Sequence, residues 1–279
     1  MKLSIITICR NAGGGLQRAV ASLLAQSRPP EEYLIQDGAS TDASVEGLLN
    51  WLRREGKGNA ETLKAEMLKL EMGGESVEMQ ICSEADGGIY DALNRGVARV
   101  TGEVIGLLHA GDEYAHPDVL ARVMQVFEGG AEVVYGDLDY VRESADGVLK
   151  IVRHWRSGAY DSRQLRWGWM PPHPALFVRR DVYERIALDE GIFFDSTYRC
   201  AGDYDFILRL FTHLGNNQPC YLPDVLVRMR TGGVSNRSLR HIWQKSCEDW
   251  RAIRRNRVGG LGTLIGKNVR KVGQFHVAN

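Results

Sequence analysis

Apolar residues come in short runs along the first half of this chain, and each run gives way to a stretch where they recur every three or four positions. Residues 3–8 read LSIITI. Residues 16–26 read LQRAVASLLAQ, with Leu16, Val20, Leu23 and Leu24 on one helical face, and residues 32–37 read EYLIQD. This is strand, helix, strand at the spacing of a parallel crossover unit, opened by the Gly13–Gly15 turn and punctuated by Pro29 and Pro30. Residues 46–76 hold a charged pattern with Leu63, Met67 and Leu70 at helical spacing, which predicts a surface helix on the sheet. Strands follow at 79–84 (MQICSE), 103–110 (EVIGLLHA) and 132–140 (EVVYGDLDY), with helices at 89–100 and 118–128 between them. Beyond Tyr140 the periodicity weakens; a helix resumes at 203–215, and Leu239, Trp243, Cys247 and Trp250 predict another over 238–253. Alternation of this kind predicts an open, mostly parallel α/β sheet with helices on both faces.

A chain of 279 residues, 44% of them hydrophobic, can bury a large core, and its composition gives no sign of disorder. No apolar run approaches the roughly 18 residues of a membrane span. The N-terminus enters a strand pattern without a leader-like segment, which predicts a protein that is neither secreted nor integral to a membrane. Five scattered cysteines without a C-x-x-C pair indicate neither a disulfide framework nor a thiolate metal site, so a reducing cytoplasm is expected. Formal charge sums to zero, yet ten Lys and Arg stand against Glu248 and Asp249 from Arg237 onward. The tail therefore carries +8 and the rest −8, a split that predicts an anionic partner for the tail.

Ligands of open α/β sheets sit beyond the carboxyl ends of the strands, which points to Thr7–Asn11, Asp37, Glu84–Asp86 and His109–Glu113. A dinucleotide fold would need G-x-G-x-x-G after the first strand, where the chain has TICRNAGGGL, and no P-loop motif occurs. An acid such as Asp37 can accept hydrogen bonds from a base or ribose, and Asp112 can hold a divalent cation that bridges a diphosphate. Acids of both kinds together describe a sugar-nucleotide site better than a hydride-transfer site.

The ordered set SIITICRN, QDGASTD, SEADGGIYDALNRG, LLHAGDEY, HPALFVRR and AGDYDFILRL resembles family 2 glycosyltransferases of the GT-A fold, in the branch that builds bacterial exopolysaccharide and lipopolysaccharide. The likeness covers residues 1–235, implying a GT-A domain there and a basic helical extension over 236–279. It implies that Thr7, Arg10 and Asn11 line the nucleotide pocket, that Asp37 binds the base with Gly38 allowing close approach, and that Asp86 contacts nucleoside or sugar. Asp112 would coordinate Mg or Mn on the diphosphate, and Asp203 would be the general base of an inverting transfer to a saccharide or lipid-linked acceptor. The pattern departs from the family where two adjacent acids are usual: Gly111 precedes Asp112, and His109 stands in place of Asn. The thinned metal motif keeps open a nucleotide-sugar-binding protein without catalysis; a sugar nucleotidyltransferase would want a Gly-rich basic loop after the first strand.

Plainer roles compete at each position. Asp112 and Asp86 could cap a turn or helix, and Asp37 could serve a turn. Asn94 reads as a packing or capping residue, Asp205 rivals Asp203 as base, and His173 between Pro172 and Pro174 reads as structural. Trp167 and Trp169 could stack on acceptor sugars or fill a core, and Arg228 and Arg230 could clamp phosphate. The basic tail is expected to rest on the anionic inner face of the cell membrane, not on nucleic acid, for which no module is present.

Overall fold

The computed structural model describes residues 1–57, 67–72, 74–144, 147–214, 218–231 and 239–274. The predicted crossover unit forms: β1 (Leu3–Cys9), α1 (Gly14–Leu24) and β2 (Glu32–Asp37), with β1 and β2 parallel. Next come α2 (Ser44–Arg54), β3 (Met67–Met72), β4 (Glu75–Ser83), α3 (Ile89–Arg99) and β5 (Val104–Leu107). β2 pairs with β4 and β1 with β5, all parallel, so four strand ends open toward one edge.

The helix expected over 46–76 is corrected. It stops at Arg54, and Met67–Met72 is a strand antiparallel to β4. Leu68, Leu70 and Met72 are buried while Lys69 between them is exposed, an alternation of period two that the sheet edge selects over helical spacing. Leu63 lies outside the described residues.

The second half departs further from the sequence pattern. It contains β6 (Asp112–Tyr114), α4 (Val119–Glu128), β7 (Val133–Glu143), β8 (Leu149–Trp155), α5 (Ser162–Leu165), β9 (Leu176–Arg179), α6 (Arg180–Arg185), α7 (Gly202–His213) and β10 (Cys220–Arg230). Among the described residues the sheet runs β3-β4-β2-β1-β5-β9-β7-β10-β6, with β8 beside β7. β9 is antiparallel to both neighbours, so the sheet is mixed, with parallel order across β4, β2, β1 and β5 and again between β7 and β10. Leu16, Leu23, Leu52, Val123 and Phe127 from α1, α2 and α4 build the core on one face; Leu93, Val97, Ile207 and Leu210 from α3 and α7 build the other.

Two further helices, α8 (Leu239–Arg255) and α9 (Leu261–Gly273), pack back onto this sheet. Ala252 and Ile253 are fully buried beside α7. Glu248 accepts hydrogen bonds from the Arg199, Cys200 and Ala201 amides at 3.1, 2.7 and 3.1 Å, satisfying donors just ahead of α7, which has no capping side chain of its own. The Lys267 ammonium is buried against Asp249 at 2.6 Å and over the Tyr204 ring. The tail thereby holds the first turn of α7, which carries Asp203.

Candidate active site

Beyond the ends of β1, β4 and β5 lies a cleft of about 680 Å3. Three guanidinium groups, from Arg10, Arg18 and Arg230, and two carboxylates, from Asp86 and Asp112, line it together with Asn11, His109 and His173. Cations facing a cleft that also holds buried acid suit a diphosphate with a divalent counter-ion.

Asp112 begins β6 after a tight turn in which its amide donates to His109 O at 3.0 Å. The residue is only 5% exposed, and Oδ2 is buried without a partner. Burial pushes its carboxyl up to about 7, Glu113 adds to the rise, and His173 opposes it. Glu113 is engaged by Arg230 at 2.7 Å, so it does not supply the second carboxylate. Among the described residues no three acids, histidines or cysteines converge to enclose a metal. One orphaned carboxylate oxygen on a cleft lined by cations nevertheless fits Mg or Mn, which take one or two protein carboxylates and fill the remaining positions with phosphate and water.

His173 follows Pro172 in a single 3-10 turn and bridges two residues that lie far apart in the chain. Its Nε2 is 3.0 Å from His109 Nε2, and its Nδ1 is 3.3 Å from Asp203 Oδ2. Asp203 also accepts from the Tyr90 hydroxyl at 3.3 Å. Burial acts to raise the Asp203 carboxyl, but the hydrogen bond and charge of His173, with Lys267 and Lys245 nearby, outweigh it and hold the group well below the usual carboxylate range. Burial and the His173 charge push His109 down to about 3, against the pull of Asp203, so its ring is neutral at physiological pH. His173 is among the groups lining the cleft and Asp203 is not, although the side chains of both are about a quarter exposed, at 26 and 25%. Asp205, the rival acid, is fully buried and turned to Asn256 at 2.9 Å.

Other expected residues land differently. Thr7 does not reach the cleft: it is fully buried, with Oγ1 donating to Leu108 O and 2.8 Å from the Tyr33 hydroxyl. Asp37 is 1% exposed, and its oxygens serve Ser40, Ser83 and Cys9. It braces the loop after β2 and does not line the cleft. Asn11 lines the cleft while its Oδ1 accepts from the Thr41 amide at 2.8 Å, fixing the same loop. Gly38 is needed for close approach, though of a different group: a Cβ there would lie 2.5 Å from Asp86 Oδ2. Asp86 Oδ1 accepts from the Gly88 amide at 2.9 Å in the turn ahead of α3, whose N-cap is Gly88 and not Asp86, and the residue also borders the cleft. Asn94 packs as expected, taking the Phe193 and Phe194 amides at 3.0 and 2.8 Å.

Trp169 is buried, with its indole donating to Ser157 O at 2.7 Å, and Trp167 is exposed; neither lines the main cleft. Arg230 lines it and Arg228 does not. The sequence reading gave no place to Arg18, which joins the site because α1 turns it toward Glu113 at 4.0 Å. His173 was undervalued because its partners lie 64 and 30 residues away.

An open mixed sheet flanked by helices, with a cleft at its strand ends, is an architecture similar to that of GT-A glycosyltransferases. The family described as Glycosyl transferase family 2 matches residues 4–186, and the chain belongs to it. A PGL/p-HBAD biosynthesis glycosyltransferase of Mycobacterium bovis BCG is 29% identical over 213 residues, covering 75% of this chain and 70% of the relative. The fold is similar to that of S. aureus TarS 1-349 in complex with UDP-GlcNAc, with a TM-score of 0.61 at 15% identity over 92% of this chain and 66% of that one, just under two thirds of its length. It is similar too to the mannosyltransferase PcManGT from Pyrobaculum calidifontis in complex with GDP-Man and Mn2+, with a TM-score of 0.60 at 14% identity over 96% of this chain and 69% of that one. Among the described residues no helix is long and apolar enough to cross a membrane.

Proposed function

We propose that this protein moves a sugar, with inversion, from a nucleoside diphosphate donor to a hydroxyl of a saccharide or lipid-linked acceptor in cell-surface polysaccharide biosynthesis, working in the cytoplasm. The observation that carries the reading is the orphaned, buried Oδ2 of Asp112 on a cleft shared with Arg10, Arg18 and Arg230. That set suits a diphosphate and its cation, and PcManGT with GDP-Man and Mn2+ is consistent with it.

In this reading Asp112 would hold Mg or Mn, which when bound stabilises the negative charge that grows on the leaving diphosphate. The three arginines neutralise the same charge from the protein side. Asp86, Arg10 and Asn11 hold the nucleoside end, while Gly38 keeps Asp86 in place. Thr7 and Asp37 contribute indirectly, by bracing the strand ends and the loop after β2. The acceptor hydroxyl loses its proton as its oxygen attacks the anomeric carbon. Asp203 is the base, and His173 is its link to the cleft: the ionised carboxylate accepts a hydrogen bond from His173 Nδ1.

The test is the melting temperature of the chain with UDP, GDP, CDP and dTDP, each with and without Mn2+. Ligand at 100 times its dissociation constant adds about 2.7 kcal/mol. One nucleotide that stabilises only with metal, with Asp112→Ala abolishing the effect, supports the reading; no stabilisation by any of the four overturns it.

A further inference from the structure

Most of the α9 surface that faces the protein is occupied. Thr263 Oγ1 donates to Arg166 O at 2.7 Å, Lys267 pairs with Asp249, and the backbone of Trp167 lies so close to Gly266 that a Cβ there would meet Trp167 O at 2.5 Å. The opposite side of the helix is a different surface. Leu261, Ile265 and Val269, four residues apart, are 65, 62 and 62% exposed, and Trp167 beside the helix is 64% exposed. Residues 261 and 269 are about 12 Å apart at the rise of a helix, so the three side chains form one continuous apolar stripe. Four large apolar side chains left in water at one place require a reason.

The charges around the stripe supply it. From Trp250 to the end the sequence holds seven Lys and Arg and no acid, and residues 162–180 hold four Arg and no acid. Arg251 and Arg255 are occupied by Asp195, and Lys267 is buried. Arg163 and Arg179 pair with Asp161 and Asp181, and Arg180 is spent on the Val97 and Gly102 carbonyls, whereas Arg166, Arg257 and Arg270 are exposed. At the start of α9, Arg163, Arg166, Trp167 and Arg257 surround a groove of about 860 Å3, next to the positive end of the helix dipole.

We propose that the outer face of α9, with the loop carrying Trp167, docks on an anionic lipid bilayer. The stripe lies in the headgroup boundary, Trp167 anchors at its edge, and the arginine groove takes lipid phosphates. A second copy of the chain fits this face poorly. A two-fold contact would set the same arginines against each other, whereas a negatively charged leaflet neutralises them while still accepting the apolar stripe. The proposal gives the lipid-linked acceptor a place to be met but rests on different residues from the sugar-transfer reading, so each can fail alone.

The experiment is flotation of the full chain with vesicles of phosphatidylcholine alone or mixed with phosphatidylglycerol, at low and high salt. The variants are L261Q/I265Q/V269Q and R166Q/R257N, whose side chains are exposed, and unchanged melting temperatures confirm that they fold. Wild type should float with anionic vesicles at low salt and not with neutral ones. Loss of each arginine should weaken partition about fivefold, and the triple glutamine variant should stay in solution at either salt. Wild type that ignores anionic vesicles, or glutamine variants that float like wild type, overturns the proposal. So does a concentration-dependent dimer in ultracentrifugation that Ile265→Glu dissolves in the absence of lipid, since the stripe then belongs to a second copy. Nucleotide-induced melting shifts, measured on the same variants, report the cleft separately.

Discussion

His173 stands between Asp203 and the cleft, with its Nδ1 3.3 Å from the carboxylate and its Nε2 3.0 Å from His109. A carboxylate held well below its usual range is a weak base by itself, and of the two residues it is His173 that lines the cleft. In the proposed transfer His173 would relay the acceptor proton toward the Asp203 carboxylate. His173→Gln should lower kcat about a hundredfold to ten-thousandfold while the donor KM moves little, measured by transfer or donor hydrolysis across pH. An unchanged kcat would return His173 to the structural role first read from its flanking prolines.

Asp112 offers a test by pH alone. Burial raises its folded carboxyl to about 7 from an ordinary value of 3.8, so the folded state binds the proton more tightly than the unfolded chain. That contribution favours folding fully below the unfolded value and is lost as pH rises through 7. Without metal, Asp112→Asn should therefore gain stability over wild type at pH 8, by on the order of a few kcal/mol, and little of it at pH 4. Mn2+ should raise the wild-type melting temperature at pH 8 and leave Asp112→Asn unmoved. Calorimetry at the two pH values decides it.

Gly38→Ala places a Cβ 2.5 Å from Asp86 Oδ2, and the carboxylate must swing away. The expected result is nucleotide affinity weakened roughly tenfold, the loss of about 1.4 kcal/mol, because Asp86 borders the cleft and the buried Gly38 backs it. Titration calorimetry with the nucleotide found to bind would read it; wild-type affinity would separate Asp86 from the donor.

The buried pair of Lys267 and Asp249 ties the tail helices to each other beneath Tyr204. Lys267→Met alone strands a buried carboxylate and should cost about 3–5 kcal/mol. The double variant with Asp249→Leu should recover most of that cost, because two apolar groups need no desolvation of charge. Urea denaturation of the four members of the cycle measures the coupling, and additive effects would show that the pair is not a unit.

The sequence by itself determined most of the first half of the molecule, residues 67–72 excepted. Local patterns suffice there, because each strand of the parallel units is a short apolar run and each helix brings its own apolar face, and the strand-end rule then points to Arg10, Asn11, Asp86 and Asp112. Tertiary structure decided what pattern could not. Residues 67–72 became a strand because β4 offered an edge, and their alternation was hidden inside a plausible helical spacing. Thr7 and Asp37 sit at the right positions in the chain but face partners within the fold, since a strand end fixes where a residue lies and not which neighbours occupy its oxygens. His173 and Asp203 meet only once β9 and α7 close on the sheet. The basic tail, legible as charge, acquired its face only when packing consumed some cations in ion pairs and left Leu261, Ile265 and Val269 in water beside the rest. Charge is a property of composition, whereas exposure is a property of the folded chain.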